Sequence, residues 1–65
     1  MTERLLDPEL ELTVLVAEGL SNREIGERLG SDEMTVARQV SQILRKLRLR
    51  NRVQLAVWAV KQGLY

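Results

Sequence analysis

The chain has 65 residues, and a domain of that size buries roughly 60% of its unfolded surface, enough for one modest core. It contains no cysteine and no histidine. That excludes disulfides, thiolate metal sites, a cysteine nucleophile and the commonest general base, and a cofactor-bearing or catalytic cleft is not expected. The formal charge of +1 conceals a strong asymmetry: all nine acidic residues precede Met34, with only three basic ones, a net of −6. From Met34 onward there are seven basic residues and no acid, a net of +7. A basic half free of acids suits a polyanion, while the acidic half must face elsewhere or pair with it inside the fold.

In chain order, Asp7-Pro8 reads as an N-cap followed by proline at the first helical position, where the missing N–H costs nothing. The helix continues to about Glu18 and stops at Gly19, with Leu12, Leu15 and Val16 as its apolar stripe. Ser21-Asn22-Arg23-Glu24 has the form of a capping box and opens a short helix that ends at Leu29, with Gly30 at C′ and Ile25 and Leu29 inward. Gly26 inside it is unfavourable by roughly 1 kcal/mol against alanine, which suggests close approach by another helix. Asp32 caps the third helix, Glu33 to about Leu47. Val36, Val40, Ile43, Leu44 and Leu47 form its apolar face; Ala37, Arg38, Ser41, Gln42, Arg45 and Arg48 lie opposite. Fifteen helical residues extend about 22 Å, long enough to lie across a DNA groove.

After the basic bend Arg48-Leu49-Arg50, Asn51 caps a fourth helix with Gln54 at the reciprocal position; it ends at Gly63, and Leu64 is placed to fold back. Leu55, Ala56, Ala59 and Val60 are its expected inward set. The reading is therefore all-α, one domain over 1–65, with helices at about 8–18, 22–29, 33–47 and 52–62. No stretch reads as a signal peptide or a spanning helix: Leu55 to Val60 is the longest apolar run, against ~20 residues for a span. A soluble cytoplasmic protein is the expected setting.

Two helices joined by a short glycine-containing turn, the second longer and more basic, form a helix-turn-helix arrangement. In it the first helix crosses the DNA backbone, its N-terminal amides available to a phosphate, and the second enters the major groove. Arg38 leads the outward stripe and is the first candidate for reading a base, since arginine pairs bidentately with guanine. Ser41 and Gln42 follow one turn on, to meet base or phosphate. The methyl of Ala37 can touch a thymine methyl. Arg45, Lys46, Arg48, Arg50 and Arg52 crowd one bend and are phosphate candidates, though Arg52 has capping of the fourth helix as its alternative. Asn22 and Arg23 are candidates at the start of the second helix. Glu33 suits the positive end of the helix dipole, with acceptance from a cytosine amine as the alternative. Gln54, Val57, Trp58 and Lys61 form an outward stripe on the fourth helix that points to a homodimer; the alternative places Trp58 against the first helix.

An ordered set of segments resembles the LuxR-type (GerE/NarL-like) bacterial regulators. It comprises Glu9 and Glu11, Ala17 through Ile25, Leu29-Gly30, Thr35-Val36, Ile43 through Leu47, Arg50-Asn51-Arg52 and Gly63-Leu64. The resemblance spans about Leu5 to Leu64. It implies a four-helix domain at the bacterial nucleoid whose third helix reads double-stranded DNA and whose fourth commonly dimerises. It also implies a phosphate-ligand role for Thr35, whose alternative is to brace its own helix start. Asp7-Pro8 departs from the family's Thr-Pro start one residue earlier, which should delay the first helix. Gly26 replaces a usual alanine, and Thr13 stands at a usual leucine, which should thin the core. Ala37 and Gln39 replace a frequent Lys and His, so the usual base contacts do not carry over. The expected function is sequence-specific DNA binding for transcription regulation, by an excised output domain or a single-domain regulator, with RNA polymerase or a sensor domain as further partners. The rivals are a sigma-factor region-4-like promoter binder, against which the Gly-Leu-Ser-Asn-Arg-Glu-Ile run argues, and a helical protein-interaction module without DNA.

Overall fold

The computed structural model describes residues 5–65. Among them are four helices and no strand: α1 (Asp7–Ala17), α2 (Asn22–Leu29), α3 (Glu33–Leu47) and α4 (Arg52–Lys61). Glu3 and Arg4, counted above in the acidic half, lie outside the described residues. None of the described helices is long and apolar enough to cross a membrane.

Helix ends are fixed by local chemistry. α1 begins at Asp7, so Asp7 is its first residue and not its cap, and the expected delay does not occur. The cause is Glu9, whose Oε1 accepts the Leu6 N–H at 2.8 Å and so caps the helix from inside its first turn. In α2 the capping box is complete: Ser21 Oγ accepts from Glu24 N–H at 3.1 Å and Glu24 Oε1 from Ser21 N–H at 2.8 Å. Gly30 ends it with φ +70°, a left-handed conformation that glycine adopts without penalty. For α3, Asp32 Oδ1 accepts the Thr35 N–H at 2.7 Å. Asn51 Oδ1 does the same for Gln54 N–H at 2.9 Å in α4, while Gln54 Oε1 takes the Arg50 N–H at 2.6 Å, one residue before the expected reciprocal partner.

α1 packs on α4 and α2 on α3. The core unites Leu12, Leu15 and Val16 of α1, Ile25 of α2, Val36, Val40 and Ile43 of α3, and Leu55 of α4. Thr13 is also wholly buried, where its hydroxyl donates to the Glu9 carbonyl at 2.7 Å. The smaller side chain is thus accommodated by a satisfied back-bond to the preceding turn. Gly26 is tight for a different reason from the one expected. A Cβ there would lie 2.6 Å from the Ser31 carbonyl oxygen, so the close neighbour is the turn between α2 and α3, not another helix.

α4 is rotated relative to the sequence reading. Leu55 and Ala59 are buried and Trp58 packs half-buried on the core, whereas Val60, expected inward, is 56% exposed. The side turned to the core is therefore Leu55 and Ala59, with Trp58 packed at its border. An indole removes far more apolar surface from water than a valine, and the helix turns to place it.

Candidate nucleic-acid interface

The turn Gly30–Asp32 sets α2 and α3 into a helix-turn-helix pair, and the apolar anchors of α3 decide which side faces out. Val36, Val40 and Ile43 are at most 6% exposed. At 3.6 residues per turn, Arg38 and Arg45 fall on nearly one line, almost opposite those anchors. Both are exposed, as are Ser41 and Gln42; Ala37 is half-buried at the border of this face. No protein element covers the line among the described residues. Met34, which the sequence reading did not single out, lies on it too and is 73% exposed.

The expected phosphate candidates separate into free and engaged groups. Arg23, Arg45, Arg48 and Arg50 have exposed side chains with no hydrogen-bond partner among the described residues. Arg48 ends α3 with φ 58°, a left-handed conformation that disfavours any residue with a Cβ. Lys46, in contrast, sits on the flank toward α1, where its Nζ lies 2.9 Å from Glu9 Oε1. The Leu6 N–H and then Lys46 hold the Glu9 carboxyl below its ordinary range. Arg52, a candidate for a phosphate or for capping α4, does not cap it, since Asn51 does, and is engaged within the fold. Its guanidinium donates to Asn22 Oδ1 and, at 2.6 Å, to the Leu20 carbonyl, tying α4 to the start of α2. Asn22 is thereby left its NH₂ to offer outward.

Thr35 is likewise engaged: its hydroxyl donates to Asp32 Oδ2 at 3.1 Å. The Thr35 N–H and hydroxyl together keep the Asp32 carboxyl ionised to below its ordinary range. These two bonds brace the start of α3, and the Asp32 carboxylate stands beside any phosphate that approaches Thr35. Glu33 is exposed in the first turn of α3, where the dipole favours a negative charge.

On α4, Gln54, Val57 and Lys61 are exposed, and Trp58 is half-buried, packed on the core while also lining the surface groove beside them. The exposed apolar ridge is Val53, Val57 and Val60, at 71%, 47% and 56%. Beside it Leu49, Val53, Gln54, Val57, Trp58 and Lys61 line a shallow groove of about 330 Å³. The i, i+4, i+7 spacing of Val53, Val57 and Val60 was the signal available in the sequence for this ridge.

A helix-turn-helix pair with this chain's motifs also matches known proteins. The family model described as "Bacterial regulatory proteins, luxR family" covers residues 5–59. The chain belongs to that family. Among luxR-family relatives, it is 44% identical over 62 residues to the transcriptional regulatory protein LiaR of Bacillus subtilis (strain 168), covering 95% of this chain and 29% of LiaR. It is 41% identical over 59 residues to LnrK of the same organism, also named a transcriptional regulatory protein, covering 91% and 27%. Against the nitrate/nitrite response regulator NarL of Escherichia coli (strain K12), identity is 36% over 62 residues, covering 95% and 29%. The chain thus spans less than a third of the length of these luxR-family regulators.

Proposed function

We propose that this domain binds double-stranded DNA in the service of transcription regulation, with α3 in the major groove. The observation that carries this reading is the uncovered line of Arg38, Ser41, Gln42 and Arg45, held outward by Val36, Val40 and Ile43 on the opposite side. Arg38 is the guanine reader, Ser41 and Gln42 meet the next base edges, and the Ala37 methyl borders them. Arg23, Arg45, Arg48, Arg50 and the Asn22 NH₂ hold phosphates. The left-handed Arg48 supports this assignment: glycine would end the helix there with less strain, and arginine instead puts a guanidinium at the exposed bend.

A second copy covers the Val53, Val57 and Val60 ridge, and the resulting dimer sets the spacing of two half-sites. The chain spans less than a third of relatives named as regulatory proteins; a sensor domain and RNA polymerase are the partners this reading calls for.

The test is binding of the 65-residue chain to a random-sequence duplex across a salt series, followed by selection of bound duplexes from a random pool. Two to four phosphate contacts predict a slope of log affinity on log salt of roughly −2 to −4 per domain. Selection then returns a consensus containing guanine. Absence of duplex binding at about 50 mM salt, where such contacts are strong, contradicts the proposal and favours a protein-interaction module.

A further inference from the structure

Met34 differs from every other large apolar side chain of α3. It is 73% exposed and belongs neither to the core nor to the partly buried residues packed on it. Arg38, Ser41 and Arg45 follow it at four, seven and eleven residues, all near whole turns of 3.6, so the thioether starts the outward line. It also stands in the first turn, the end that helix-turn-helix modules bring to the base edges. Glu33 points about 100° away around the helix, and the carboxylate of Asp32 is occupied by Thr35. Neither acid intervenes between Met34 and a groove. A flexible, unbranched apolar side chain has one apolar feature to meet in the major groove, the thymine 5-methyl.

We propose that Met34 is a specificity residue that reads a thymine through its methyl group. The inference rests on the placement of α3 proposed above and adds a base that Arg38 cannot read. It is tested on the selected duplex with each thymine replaced in turn by deoxyuridine, which removes one methyl and keeps every hydrogen-bonding group. Loss of one buried methyl contact corresponds to about fourfold in affinity. The wild-type chain is expected to weaken by that factor at one thymine per half-site. Met34→Ala is expected to weaken equally on the thymine duplex and to lose the thymine–deoxyuridine difference, whereas Arg38→Ala keeps that difference. Alanine at this exposed helical position suits the fold at least as well as methionine, and circular dichroism checks that it does.

A consensus without such a thymine, or replacements that change nothing, overturns the proposal. Discrimination that survives in Met34→Ala also overturns it and assigns the methyl to Ala37. Specific, salt-dependent binding combined with any of these results leaves the proposed function standing; absence of duplex binding removes both.

Discussion

Replacing Arg52 by alanine removes two charge-assisted hydrogen bonds, to Asn22 Oδ1 and to the Leu20 carbonyl, that join the start of α4 to the start of α2. A hydrogen bond involving a charged group contributes about 1.5–3 kcal/mol net when well shielded. Arg52 is half-buried, and water can replace the lost donors, so about 2 kcal/mol for the pair is the reasonable magnitude. The whole domain has only about 3–10 kcal/mol at typical values per residue. At this chain length about 2 kcal/mol lowers Tm by roughly 8–16 °C. Thermal unfolding by circular dichroism measures it. Arg52→Lys keeps the charge without the planar fork and should recover only a small part of the loss. DNA affinity of the folded variant should keep its salt slope. An unchanged Tm together with a slope shallower by about 0.9 would instead make Arg52 a phosphate contact.

Gly26→Val places branched carbon where a single Cβ would already lie 2.6 Å from the Ser31 carbonyl oxygen. Alanine would offset part of that clash by about 1 kcal/mol of helix propensity; valine gains less. A destabilisation of about 2–3 kcal/mol is expected in urea unfolding, and a midpoint equal to the parent's would contradict it. Val57→Glu should leave a folded chain that binds one half-site normally but loses cooperative binding to two; cooperativity equal to wild type would exclude the Val53–Val57–Val60 ridge as the dimer contact. Glu9 and Glu24, ordinarily at 4.5, and Asp32, ordinarily at 3.8, are all lowered by N–H donors in the fold. The unfolded chain therefore holds more protons just below those values, so stability is complete above about pH 5 and falls as pH drops through the folded values. With no histidine to titrate, urea midpoints should match between about pH 6 and 8; stabilisation on acidification would contradict the assignment.

Helix limits were legible wherever the cap is local. Ser21 with Glu24, Asp32, Asn51 and Gly30 each fix an end through neighbours three or four residues away. The outward face of α3 was legible because apolar and cationic residues separate cleanly around it. α4 offers no such contrast: it is apolar on nearly every side, so its phase is set by the core it packs on, and Val60, expected inward, is exposed while Trp58 reaches the core's border. The cations near the bend share one composition, yet Lys46 and Arg52 find partners 37 and 30 residues away, which no local pattern announces. Gly26 signalled crowding correctly, but the crowding comes from the turn that follows.

Entry of the outward line of α3 into the duplex is read residue by residue from amide and side-chain NMR shifts during titration with a selected duplex. The largest changes are expected at Ala37, Arg38, Ser41, Gln42 and Arg45, with Arg48 and Arg50 next. Changes confined to α1 or α4, with α3 silent at saturation, would contradict it.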